Sequence, residues 1–331
     1  MTRHGATKGI KGVTGVTALR NKYGSFSTVS AGGGGSSSVA VAGYVAGGNT
    51  GSYVSGIDKI AFPADTKTTL AATLTSGGEG VAGFANSGVA GYAAGGNAGG
   101  YVSGIDKVSF PADTKTTLSA TLTNARGYVT GFANSGVAGY VAGGNTGSYV
   151  SGIDKVSFPA DSKTTLSATL TTARGYATGF ANSGTAGYVA GGHDGSFISG
   201  IDKVTFPADT KTTLSATLTN ARNYAAGFAN NGVAGYAAGG NDIGGKISGI
   251  DKVAFPADSK TTLSATLTTA REAPAGFANS GVAGYAAGGH DGTPTSGIDK
   301  VSFPADTKTT LSATLTSGRS APAGFADSGT L

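Results

Sequence analysis

Side chains able to do acid–base or metal chemistry are few in this chain, and most recur at a fixed interval. Asp and Lys close the string Ser-Gly-Ile-Asp-Lys, which begins at Ser55, Ser103, Ser151, Ser199, Ser248 and Ser296. A second Asp and Lys occupy Pro-Ala-Asp-(Thr/Ser)-Lys, first met as Asp65 and Lys67, and Arg126, Arg174, Arg222, Arg271 and Arg319 form a third series. A catalytic centre needs one asymmetric constellation, which near-identical copies do not provide. Asp106, Asp154 and their copies therefore read as acceptors for the arginines across a structural boundary. Gly78 stands where the others have Arg, so one boundary should lack the pair. Asp65 and Lys67 read as turn residues with a local ion pair of little worth.

Histidine occurs at His4, His193 and His290. The latter two lie in different copies, each followed by Asp-Gly, and read as polar loop positions rather than metal ligands. The lack of Cys excludes a thiolate nucleophile, a disulfide framework and Cys-based zinc or iron–sulfur centres. The glycine pairs are not phosphate loops, because no strand–Gly loop–helix unit with a Lys follows them. The expectation is a non-enzymatic protein with no cofactor and no metal.

The elements that carry these residues are repeats. The intervals between the Ser-Gly-Ile-Asp-Lys strings are 48, 48, 48, 49 and 48 residues, and Gly-Tyr-(Val/Ala)-Ala-Gly-Gly also occurs six times, from Gly43 to Gly284. Each unit reads as four short strands; in the third they are 129–133, 137–142, 149–158 and 164–170. Turn residues separate them: Asn-Ser-Gly, a double Gly, and Pro-Ala-Asp-Ser-Lys. Helix is disfavoured, since Gly lies inside nearly every run and Thr and Val dominate the rest. Four strands per unit and six units predict an all-β, six-bladed propeller of antiparallel blades. The first unit lacks its opening strand, and 322–329 supplies one more such strand after the last unit, so the C-terminal strand should close the ring. Glycine, 59 of 331 residues, would let backbones approach near the axis. Bulk would come from Phe84, Tyr92, Ile105, Phe110, Leu118, Leu122 and their copies. Glycine does not fall at every third position, which excludes collagen, and apolar stretches such as 88–95 are far short of the ~20 residues of a membrane helix. No apolar secretory leader is visible at the N-terminus.

Gly143-Gly144 ending one strand, Phe158 before a Pro/Asp turn, Leu166 after it, then Ala173-Arg174 resemble the kelch repeat, with Phe158 and Leu166 where kelch repeats usually carry Tyr and Trp. The Ala-Arg-Gly-Tyr and Gly-Phe-Ala-Asn-Ser-Gly phrases resemble kelch-like virion proteins of tailed bacteriophages, including cyanophages. The resemblance covers 39–331 and implies a kelch-like propeller and a structural place in a virion, as head decoration or as part of a tail or fibre.

Charge divides the chain in two. Residues 1–38 hold Arg3, Lys8, Lys11, Arg20 and Lys22 and no acid, whereas 39–331 hold 18 basic and 18 acidic residues. A neutral ring thus carries a basic, extended arm ending in a Gly/Ser linker. The arm, with Tyr23 and Phe26 among its apolar anchors, is expected to order on an acidic or grooved surface of a capsid, portal or tail protein. Five spread charges lack the clustering of a nucleic-acid stripe. Within the ring, the turns between first and second and between third and fourth strands are nearly uniform. The other connections vary and belong to one face, where loops on a rigid scaffold commonly bind. Asn97, Tyr128, Tyr176, His193, Tyr224 and His290 are the candidate contacts on that face, with host-surface glycans as the candidate ligand.

Overall fold

The computed structural model describes residues 42–327, together with the backbone of Leu19–Arg20 and Phe26–Ser27. The chain divides into two units, Met1–Val39 and Ala40–Leu331. In the first, Leu19 pairs with Ser27 and Arg20 with Phe26 in a two-residue antiparallel ladder. The second is a six-bladed β-propeller. Blade three shows the pattern: Thr130–Asn134, Ala138–Ala142, Ile153–Ser157 and Ser162–Thr165 pair in sequence order, all antiparallel. Register aligns Phe132 with Tyr140, Tyr140 with Lys155 and Lys155 with Thr164. The first three thereby form a column in which Phe132 stacks on Tyr140 at 5.0 Å and the Lys155 ammonium lies 5.6 Å from the Tyr140 ring.

The C-terminal strand closes the ring as expected. Ala323–Ala326 pairs with Ala42–Ala46, setting Phe325 opposite Tyr44, and completes blade one with Gly56–Ala61 and Thr66–Thr73. The third strand is shorter than expected, Ile153–Ser157 rather than 149–158 in blade three, and the outermost strand differs too. In blades two to six it spans four residues, beginning before the predicted start and ending at Thr165 in blade three. Beyond it the chain leaves the regular ladder but is still tied in, through Leu166 N to the Ile153 carbonyl and Leu170 N to the Ser151 carbonyl. Those two bonds keep Leu170 buried.

Small residues decide how close the blades come. On the innermost strands, a Cβ on Gly83 would collide with the Gly324 carbonyl, one on Gly131 with Gly83, and so on through Gly179, Gly227, Gly276 and back to Gly324. These six glycines form a closed circle of backbone-to-backbone contact around the axis. On the second strands, Gly139 admits the Phe84 ring of the preceding blade, and each of the other five copies admits its neighbour's Phe in the same way. The core is therefore six wedges between blades: Phe132, Tyr140, Ile153 and Leu170 pack with Ala181, Val189, Val204 and Phe206 of the next blade.

Polar side chains seal the same boundaries. The Tyr92 hydroxyl donates to Asp161 Oδ1 at 2.7 Å and Lys107 Nζ to Asp161 Oδ2 at 2.7 Å, joining blade two to the turn of blade three. Burial, reinforced by the Asp161 carboxylate, pushes the Tyr92 phenol well above its ordinary pKa, so it remains a donor. The sequence reading of Asp65 as half of a local pair is corrected here. Asp65 accepts from Tyr285 at 2.8 Å and Lys300 at 2.6 Å of blade six, while Lys67 donates to Thr69 and Thr316.

Candidate functional site

The connection from each outermost strand to the next blade's innermost strand delivers one residue to the rim of the axis: Gly80, Tyr128, Tyr176, Tyr224, Ala273 and Ala321. Backbone bonds run round this rim. Tyr176 N donates to Tyr128 O at 2.9 Å, Tyr224 N to Tyr176 O, Ala273 N to Tyr224 O, Ala321 N to Ala273 O and Gly80 N to Ala321 O, each at 2.8 Å. The last link is displaced by one residue, Val129 N to Gly80 O at 3.3 Å. All six residues hold positive φ, 50° to 59° for the five that are not glycine. Left-handed backbone costs a residue with a Cβ about 1 kcal/mol, and such strain clusters where a side chain must be aimed.

What is aimed is a lopsided aromatic cluster. Tyr128 and Tyr176 lie with ring centroids 4.4 Å apart, Tyr176 and Tyr224 4.6 Å, and Tyr128 meets Tyr224 edge-on at 6.2 Å. Gly80, Ala273 and Ala321 hold the other half of the rim. A pocket of about 110 Å³ runs from the three tyrosines down to the glycine circle. Tyr128 donates to Glu79 Oε1 at 2.7 Å, and Asn49 Nδ2 holds Glu79 Oε2 at 3.1 Å. Asn97 Nδ2 lies 3.4 Å from the Tyr128 hydroxyl. Burial, with Tyr149 next, pushes the Tyr176 phenol up to about 12. Burial also raises Tyr128, where the Asn97 contact lowers and the Glu79 bond raises, and it raises Tyr224. All three are neutral phenols at physiological pH, offering flat apolar faces and hydroxyl groups.

A second pocket, about 130 Å³, adjoins on the small-residue side and is lined by Glu79, Tyr224, Glu272, His290 and Ser320. Glu272 Oε1 stands 3.7 Å from Lys246 Nζ and 3.9 Å from His290 Nδ1. His290 Nδ1 is buried without a hydrogen-bond partner.

Of the residues proposed from sequence, Asn97, Tyr128, Tyr176 and Tyr224 thus come together, and His290 borders the adjoining pocket. His193 is bridged through its backbone to Gly175, next to Tyr176, but its ring is turned to blade three. There Nδ1 lies 3.0 Å from the Tyr149 hydroxyl, and the Tyr149 ring is 6.1 Å from that of Tyr176. Among the described residues no group of three or more His, Asp or Glu could hold a metal ion. Arg3, Lys8, Lys11, Lys22 and Tyr23 of the arm lie outside the described residues, and Arg20 and Phe26 belong to the short ladder whose backbone alone is described. Sequence reasoning missed Glu79, Glu272 and Tyr149. A signal for the first two existed: they are the only glutamates in the chain, and both occupy the same repeat position.

No family model matches this chain, and neither does any curated protein.

Proposed function

We propose that this chain is a non-enzymatic structural protein of a tailed-bacteriophage particle. Residues 1–38 dock on a capsid, portal or tail protein, and the propeller is displayed outward as head decoration or as part of a tail or fibre. The observation that carries this reading is the segregation of charge: five basic residues and no acid in 1–38, a balanced 18 and 18 in the remainder. The resemblance of the repeat phrases to kelch-like virion proteins supplies the particle. Deleting residues 1–38 is expected to abolish incorporation into particles while the isolated ring keeps its β-rich circular dichroism and thermal transition. Undiminished incorporation of the deleted form would overturn the reading.

A second reading, glycan binding by the ring, is favoured by the Tyr128–Tyr176–Tyr224 cluster beside Glu79 and Asn97. Aromatic faces bury the apolar side of a sugar ring while carboxylate and amide groups take its hydroxyls. On a glycan array this predicts specific binding that Tyr176→Ala removes, and a blank array would count against it.

A further inference from the structure

Five blade boundaries hold the same buried ion pair, and the sixth holds only the acceptor half. Arg126 Nη2 donates to Asp154 Oδ2 at 3.0 Å and to the Val141 carbonyl at 3.1 Å, with Nη1 3.4 Å from the Gly152 carbonyl. Arg174 with Asp202, Arg222 with Asp251, Arg271 with Asp299 and Arg319 with Asp58 repeat the pairing at 2.5–3.1 Å. Between blades one and two, Gly78 occupies the arginine's place. Its backbone is equivalent: the Gly78 carbonyl accepts from Gly48 N and its amide donates to Val54 O, as Arg126 accepts from Gly96 N and donates to Val102 O. Only the side chain is gone.

The acceptors remain in position. Asp106 keeps the partners its copies have, Thr75 N, Thr75 Oγ1 and Thr117 Oγ1, each at 2.7 Å. Lys115 stands 3.5 Å from Asp106 Oδ1. It does not replace the arginine, because Lys163 takes the same place 3.8 Å from Asp154 while Arg126 is also bound there. The carbonyls of Ala93 and Gly104 correspond to those of Val141 and Gly152. A pocket of about 120 Å³ opens at this point, lined by Asp106, Ala93, Gly104, Leu74, Val81 and Val102. That is room for several waters or one small organic group. The Asp106 side chain is 10% exposed where that of Asp154 is 1%.

We propose that this pocket binds an alkylguanidinium group, which takes the seat that arginine fills at the other five boundaries. One amino group donates to Asp106 Oδ2 and the Ala93 carbonyl, the other faces the Gly104 carbonyl, and the alkyl stem lies against Leu74, Val81 and Val102. A guanidinium suits the site better than an ammonium. It is planar, presents several donors in a fixed fork, and is weakly hydrated enough to enter a largely apolar pocket. The group can come from a free alkylguanidine or from an arginine side chain of a partner protein, and the chemistry is shared.

The test is titration of the full chain with butylguanidinium, N-acetylarginine amide and butylammonium, all monocations, followed by calorimetry and by the thermal midpoint. Saturable binding of at least one guanidinium compound is expected, with butylammonium about tenfold weaker or worse. Tighter butylguanidinium binding points to a free ligand, and tighter N-acetylarginine amide binding to a partner's arginine. Gly78→Arg supplies the guanidinium from within, so it should raise the thermal midpoint and abolish the response to added ligand. Asp106→Asn should abolish binding without raising the midpoint. No saturable binding by wild type, equal binding of butylammonium, or binding that survives Gly78→Arg would each overturn the proposal. Because Gly78→Arg copies a side chain already present five times, the outcome does not depend on whether Asp106→Asn folds.

Discussion

At the scale of single residues, the ring is held by carboxylates whose partners lie in another blade. Asp154, Asp202, Asp251 and Asp299 are buried, which alone would raise their pKa. The Thr hydroxyl and amide donors and the neighbouring Arg more than reverse this, holding each below the ordinary carboxylate value. A lowered folded-state pKa means the unfolded chain binds the proton more readily. The stabilisation is therefore complete above the unfolded value, about 4, and is lost as pH falls below it. Calorimetric midpoints should be flat above about pH 5 and fall steeply below about pH 4, with a shallower fall in Asp154→Asn; a midpoint indifferent to acid would contradict this. The repeated arginines made these pairs legible from sequence, including the one that Gly78 breaks. The pairing of Asp65 with Lys300 was not legible, because Lys67 two residues away offers a nearer candidate and only the closed ring brings blade six alongside.

At the scale of elements, β-rich runs bounded by Asn-Ser-Gly, double Gly and Pro-Ala-Asp placed the two innermost strands of blade three within a residue of their true bounds. The third, read as 149–158, is confined to Ile153–Ser157, because the residues after the double Gly belong to the loop. The outer strand was overextended, since Thr and Leu continue the β-like pattern past the point where the ladder becomes irregular. The reason for glycine on the two inner strands was legible in kind and not in detail. Composition indicates close approach, but which atom fills the space follows only from the packing of Phe84 onto Gly139. Gly139→Ala drives a methyl into that ring and should cost about 3 kcal/mol, the upper end of typical overpacking penalties. Urea unfolding should show the midpoint falling with an unchanged slope. A loss under about 0.5 kcal/mol would mean the blades can separate more easily than this packing implies.

At the scale of the whole molecule, six similar sectors are made unequal by a few positions on one face. Three tyrosines, two glutamates and one missing arginine break the repeat, and the mouth of the axis owes its lopsidedness to them. Comparison of the copies located the variable face, but the grouping of Asn97, Tyr128, Tyr176 and Tyr224 depends on where each connection lands on the rim. The different partners of Asn97 and His193, which make equivalent backbone bridges, depend on the side chains around them. Ending the chain after Pro322 leaves blade one with three strands. It is expected to replace the single thermal transition with a broad, lower one, read by calorimetry and near-ultraviolet circular dichroism; an unchanged transition would mean that closure contributes nothing.

The latch that joins Phe325 to Tyr44 imposes an order on biogenesis. Every blade must be synthesised before the first can be finished, so the nascent chain carries an unfilled groove from its opening turns until its closing ones. During that interval any copy of the Pro-Ala-Gly-Phe-Ala segment is a potential lodger, whether from a neighbouring nascent chain or offered as a synthetic peptide. Crowded translation therefore invites exchanged tails between molecules, and a short peptide added in trans can be used to mend a clipped one.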